Sequence, residues 1–313
     1  MNSHASRLAE YLRARRAQLK PEDVGYPRDP YRRVPGLRRE EVADLAGISL
    51  EYYTRLEQGR GHNVSEQVLA APARALKLDR YAVTYFYRLA VPAPVPLLPR
   101  KPGAVSDLLV QLVEQWSAIP VYVFDRNQDV LIANNLAKEL FPSLRVTGSN
   151  SVVSAFAVPA EARGMASWAH IARSAVAALR FYGDPTDPRL QEIVGELSVR
   201  DTDFRTLWAD HEAQPYGSGT APIRIDGFGM GEFPFQILNV SDDCFMIVWV
   251  APPGTFASQA IDFLRTKLAA EEASAATHPD TPVLYLDRTV RDPTAGNIAT
   301  TNPDTRVEID EAS

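Results

Sequence analysis

The chain has 313 residues, 45% of them apolar and 23% charged, the composition of a folded protein with a buried core. At roughly 100–200 residues per domain this length predicts two domains and is too long for a lone DNA-binding module. No apolar run approaches the ~20 residues a membrane span needs, and the start "MNSHASRLAEYLRARR" lacks the apolar stretch of a signal peptide, so a cytoplasmic protein with no membrane partner is expected. A single cysteine, Cys244, excludes an internal disulfide and a multi-cysteine metal site, and is expected in the core of a strand. The net charge of −6 is unevenly spread. Residues 1–90 carry 16 Lys and Arg against 11 Asp and Glu, a net of +5, while the other 223 residues carry 17 against 28, a net of −11. Such asymmetry points to a polyanionic partner for the first part alone.

In chain order, Leu8, Tyr11, Leu12 and Leu19 recur near helical spacing and predict a helix over 3–20, stopped by Pro21. A polar loop, "PEDVGYPRDPYRRVPG", leads to "LRREEVADLAGISLEYYTRLEQGRG", which reads as two short helices about a turn. Further helices are predicted from about Ser65 and about Asp79, giving an all-α, five-helix domain over 1–90. Residues 91–104, "VPAPVPLLPRKPGA", hold five prolines and predict a semi-rigid extended linker. Beyond it the pattern is α+β. A helix ("AVSDLLVQLVEQW") precedes two short strands around "DRNQD", then "NLAKELF". Longer helices run through "ASWAHIARSAVAALRFY", "DPRLQEIVGEL" and "DTDFRTLWADHE", the last two opened by a capping Asp. "FPFQILNV" and "CFMIVWVAP" close the domain, 105–268, as an antiparallel hairpin, with helices expected on one side of the sheet. The acidic, proline-punctuated stretch 269–313 is expected to be disordered.

In the paired helices, Leu37, Val42, Ala43 and Ala46 form the inner face of the first. Gly47 supplies a left-handed stop, Ile48 fills the corner, and Ser49 caps the second helix, which faces inward through Tyr53 and Leu56. Glu51, Arg55 and Gln58 then share the outer face of that second helix, with Leu50, Tyr52 and Thr54 beside them. In a helix-turn-helix this face meets base edges in the major groove of double-stranded DNA. There Arg can pair with guanine and Glu can accept from cytosine, while Arg38 and Arg39 would lie over the phosphates. The same spacing also suits a solvent-exposed Glu51–Arg55 ion pair with no partner. The run "LRREEVADLAGISLEYYTRLEQGR" with "SEQVLAAPARALKLD" resembles the XRE family of helix-turn-helix regulators, in the form seen in MmyB-like transcription regulators. Two residues depart from that pattern. Pro72 stands inside the fourth helix, where a kink is expected, and Arg38 occupies a cap position, so a normal capping box with Glu41 is expected to be missing.

Beyond the linker, "PVYVFDRNQDVLIANNLAKELF", "VAALRFYGDPTDPRLQEIVGEL", "FRTLWADH" and the closing strands resemble the MmyB-like ligand-binding domain over about 105–265. The resemblance implies a PAS-like fold enclosing a small, mainly apolar, fatty-acid-like ligand, and a bacterial transcription regulator with no other cofactor. With that fold, Tyr122, Phe124 and Asn134 from the first hairpin would line the site. Phe156, Trp168, Phe204 and Trp208 would cover it, and Arg180 would clamp a ligand carboxylate, unless it forms a surface ion pair with Asp184 or Asp187. A homodimer follows from half-site spacing in such motifs, and RNA polymerase is a further candidate partner. The competing reading makes the second domain a dimerisation or docking platform. A haem sensor using His170 or His211 is a remote alternative. So is an enzyme, since no nucleophile elbow, zinc spacing or nucleotide loop is present. "GFGMGE", 227–232, lies before a strand and reads as a turn, not a phosphate loop.

Overall fold

The computed structural model describes residues 4–27, 31–60, 66–91, 105–146, 148–241 and 243–277. Five helices form the first part: α1 (His4–Gln18), α2 (Arg39–Ala46), α3 (Leu50–Glu57), α4 (Glu66–Ala75) and α5 (Arg80–Ala90). Leu8, Tyr11 and Leu12 of α1 pack with Leu37, Val42, Tyr53, Leu56, Leu69 and Phe86 in one buried cluster, as their helical spacing predicts. α1 ends two residues earlier than predicted, and Pro21 opens a separate 3₁₀ turn, Pro21–Val24. α4 stays helical through Pro72. Asp79 caps α5 by accepting from the Tyr81 and Ala82 amides.

The loop before α2 is a structural part of the domain. Arg32 donates to both carboxylate oxygens of Glu41 and to the Gly36 carbonyl, while the Leu37 amide donates to Arg16 O at 3.0 Å. This seats Gly36 directly on α1, where a Cβ would fall 2.3 Å from the Ala17 carbonyl oxygen. The predicted linker lies almost wholly outside the described residues, which resume at 105.

The second part begins with α6 (Asp107–Gln115), capped by Ser106, followed by β1 (Val121–Asp125), β2 (Val130–Ala133) and α7 (Asn135–Leu140). Five helices follow: α8 (Ser151–Phe156), α9 (Ala160–Arg163), α10 (Ala166–Tyr182), α11 (Pro188–Arg200) and α12 (Thr202–Ala209). Asp187 and Asp201 cap α11 and α12 as expected. β3 (Ser218–Ile225), β4 (Gly229–Ser241) and β5 (Cys244–Trp249) complete an antiparallel sheet in the order β2-β1-β5-β4-β3, and α13 (Phe256–Thr277) follows. The protein is therefore multidomain, an all-α helix-turn-helix part joined to an α+β part.

One strand was not anticipated, and two expectations need correction. "SGTAPIRI" is a strand despite Pro222, which the sheet tolerates because β3 is an edge. Helices cover both sheet faces. Tyr122, Phe124, Phe245 and Ile247 point to α7 and α13, whereas Val121, Val123, Cys244 and Met246 pack with Val113 of α6. Cys244 is thus a buried strand residue, as its context predicts. The stretch expected to be disordered from 269 is helical as far as Thr277, and only 278–313 lie outside the described residues.

α8, α10, α11 and α12 form a separate helical lobe around Val152, Phe156, Trp168, Leu179, Ile193 and Phe204. This lobe meets the first part directly. Phe181 and Ala213 are buried in the cluster built by α1–α5, Arg88 Nη1 donates to Phe181 O at 2.6 Å, and Gln18 Nε2 donates to Asp210 O at 2.5 Å.

Candidate functional site

Gly47 adopts φ 65°, ψ 35°, and its amide closes α2 on Ala43 and Asp44 carbonyls, so the chain turns sharply at the predicted residue. Ser49 Oγ accepts from the Tyr52 amide and starts α3. Tyr53 and Leu56 are fully buried, which leaves Leu50, Glu51, Arg55 and Gln58 exposed and Tyr52 and Thr54 half-buried along the outer face. The side chains of Glu51, Arg55 and Gln58 hydrogen-bond to nothing among the described residues, and no Glu51–Arg55 ion pair forms.

A normal capping box is missing at Arg38, as expected, although half of one remains. Its side chain can only donate, but its amide donates to Glu41 Oε2 at 2.6 Å. The Arg32 guanidinium holds the Glu41 carboxyl below the usual carboxylate range and favours that arrangement. Arg39 has a second task that its position did not reveal. Its Nε donates to Glu57, whose side chain is wholly buried at the end of α3 and also accepts from Arg16 Nε at 2.7 Å. One carboxylate thus ties α1, α2 and α3 together. Beside it a groove of about 450 Å³ is lined by Arg13, Arg39, Gln58 and Arg60. Arg13 and Arg60 were not singled out from sequence. The local charge excess was the only signal for them, because α1 and the end of α3 are joined only by the fold.

In the second part, Arg180 is 8% exposed near the end of α10. Nη2 donates to the Trp208 carbonyl, Nη1 lies 3.4 Å from His211 Nδ1, and the guanidinium carbon stands 3.8 Å from the centre of the Trp208 ring. Nε is buried with no partner. Burial pushes the Arg180 pKa down, against the opposing influence of Tyr85 and Glu10 from the first part. Burial and then the Arg180 charge push His211 down to about 4, so its ring is neutral near pH 7 and Nδ1 can accept.

Residues 105–264 match the MmyB-like transcription regulator ligand binding domain, and residues 7–83 match a helix-turn-helix domain. The chain belongs to the MmyB-like transcription regulators. It is accordingly a DNA-binding transcription regulator with a ligand domain. No curated protein sequence matches it. Among solved structures, an RNA-binding light-oxygen-voltage receptor is similar at 12% identity over 77% of this chain, with a TM-score of 0.23, below that of a shared fold. The regulator spans 59% of the length of that receptor chain. No helix among the described residues is long and apolar enough to cross a membrane.

The ligand residues expected for this MmyB-like regulator fall into three groups. Tyr122 and Phe124 lie in the sheet core, where Phe124, Tyr216, Phe245 and Tyr182 stack with ring centres 4.5–5.8 Å apart. Phe156, Trp168 and Phe204 belong to the separate helical lobe, so they do not close over the sheet face. Trp208 packs on Phe204 there and also lines a cavity with Arg180. Asn134 is a correction. Its Oδ1 accepts from Val121 and Ala137 amides and its Nδ2 donates to Trp116 and Ile119 carbonyls, which uses all four hydrogen-bonding positions and leaves none for a ligand. The surface ion pair offered for Arg180 is a second correction. Asp184 bonds Thr186 and Asp187 bonds Asn127, while Arg180 points inward. His211 packs beside that guanidinium, whereas His170 is exposed, and among the described residues no cluster of candidate metal ligands occurs.

Proposed function

We propose that the regulator reads a specific operator through the outer face of α3, working in the cytoplasm as a homodimer without a catalytic step or resident cofactor, under the control of a small, mainly apolar ligand. The observation that carries the operator reading is a recognition face whose Glu51, Arg55 and Gln58 side chains have no partners among the described residues, held by a capped and buttressed turn. Arg55 is the base-reading candidate, since its planar fork matches guanine O6 and N7. Arg13, Arg39 and Arg60 around the basic groove supply backbone contacts, with Arg38 at the start of α2. Family membership supports a ligand, and an acyl chain is the favoured kind. RNA polymerase is the proposed protein partner where control is not exerted on DNA binding itself.

The test uses duplexes selected from a random library by the full chain. Arg55→Ala should weaken binding by about 1–3 kcal/mol and relax preference at one base pair. Equal affinity and an unchanged consensus would remove Arg55 from base reading. A second reading, in which the sensor part is a dimerisation or docking platform, is favoured by the rings that fill its sheet core. Native mass spectrometry of the purified chain separates the two. A co-purifying small molecule supports ligand control, and a chain of bare mass supports the platform.

A further inference from the structure

A cavity of about 650 Å³ opens where α1 and α5 meet α10, α11 and α12. Leu190, Val194 and Trp208 give it an apolar wall from the sensor part, and Arg7, Glu10 and Tyr85 give it a wall from the DNA-binding part. Arg180 lies between them. Its hydrogen-bond partners, the Trp208 carbonyl, the Tyr85 hydroxyl and the neutral His211 imidazole, are all uncharged, and its Nε is buried and unpaired. A cation removed from water is strongly disfavoured unless a counter-charge sits with it. Here no carboxylate reaches ion-pair distance among the described residues. Glu10 is the acid whose field favours the charged guanidinium, and it belongs to α1 of the DNA-binding part. Glu10 Oε1 is held by Ser6 Oγ at 3.3 Å. A buried cation, an apolar wall and adequate volume together match an organic anion with an apolar body.

We propose that this cavity binds an amphipathic organic anion whose charged group pairs with Arg180 and whose body lies on Leu190, Val194 and Trp208, and that α1 and α5 sense the occupant directly. The proposal rests on the ligand-control reading above and places its site between the two parts, not inside the sheet core. Glu10 and the anion act on the same guanidinium with the same sign of charge. Occupancy therefore weakens an electrostatic link between α1 and α10, which is how a ligand would reach the helix that braces α3 through Arg16 and Glu57.

The experiment is calorimetric titration of the full chain with decanoate and with 1-decanol, which share an apolar body and differ in charge. Decanoate should bind and decanol should bind at least about tenfold more weakly, the lower end of what a hydrogen bond to a charged group carries. Arg180→Gln should weaken decanoate by about tenfold to a hundredfold, while Arg180→Lys keeps part of the affinity. Glu10→Gln, on the DNA-binding part, should tighten it by a few-fold because a like charge is removed. This last variant also guards against misfolding of the Arg180 variants, since it predicts a gain. Decanoate binding that ignores Arg180→Gln and Glu10→Gln overturns this site while leaving a ligand elsewhere in the sensor part. No binding of decanoate to the wild type overturns the site as well, and the ligand-control reading is then decided separately by whether a molecule co-purifies.

Discussion

At the scale of single residues, Glu57 and His211 make the sharpest claims. Glu57 is buried between Arg16 and Arg39, so Glu57→Ala leaves two cations facing each other without their carboxylate. Breaking such a pair by removing one partner typically costs about 3–5 kcal/mol, and urea unfolding of the variant should show a loss of that size. A loss below about 1 kcal/mol, the value of an exposed pair, would mean that the bridge does not brace α3. His211 makes a pH prediction. Its folded pKa of about 4 lies below the ordinary 6.5, so the unfolded chain takes up the proton first. The stability it contributes is complete above 6.5 and is lost as pH falls toward 4. Arg180, Arg15 and Arg13 are the cations facing it. Asp125 works in the opposite sense. Burial raises its pKa from 3.8 to about 6, so acid favours the fold through that group. Comparison with His211→Gln isolates the histidine: between pH 7 and pH 5 the wild type should lose more stability than the variant. Parallel pH profiles would contradict the buried neutral imidazole.

At the scale of elements, the turn between α2 and α3 decides where the recognition face points. Gly47 has a positive φ, and a Cβ added there would meet nothing within 4 Å, so Gly47→Ala tests backbone strain alone. It should cost about 1–2 kcal/mol, and Gly47→Asn less, in thermal unfolding. No change in either would mean that the left-handed stop is not required. This turn was legible in the sequence because every signal is local: the glycine, the Ser49 cap and the spacing of Val42, Tyr53 and Leu56 lie within a few residues of one another. The same holds for Asp79, Asp187 and Asp201 as caps. Asn134 was legible as a special residue but not as a structural one, because its carbonyl partners at Trp116 and Ile119 come from the far side of β1. β3 was hidden for a related reason. Pro222 argues against a strand, and only the sheet order reveals that this strand is an edge. The eight aromatic and polar ligand candidates were chosen from segments, yet whether two segments share a core depends on packing. Tyr122 and Phe124 ended in one core, Phe156 and Phe204 in another.

At the scale of the whole molecule, the basic and acidic halves read from composition correspond to a DNA-binding part and a ligand domain. The contact between them was not legible. Arg88 on Phe181, Gln18 on Asp210 and the cavity at Arg180 join residues separated by most of the chain. The linker was the natural place to seek coupling from sequence, because proline-rich chain keeps its direction. The described contacts offer a second and shorter route, from Arg180 through α1 to Glu57 and α3. Linkage then requires that ligand shift DNA affinity by the same factor that DNA shifts ligand affinity. The decisive measurement is fluorescence anisotropy of the full chain on its selected duplex, with and without saturating decanoate, paired with decanoate titration with and without that duplex. The account predicts one shared factor of about 5 to 150, reduced toward one in Arg180→Gln. A factor of one in the wild type, with both ligands bound, would contradict control of DNA binding through this contact.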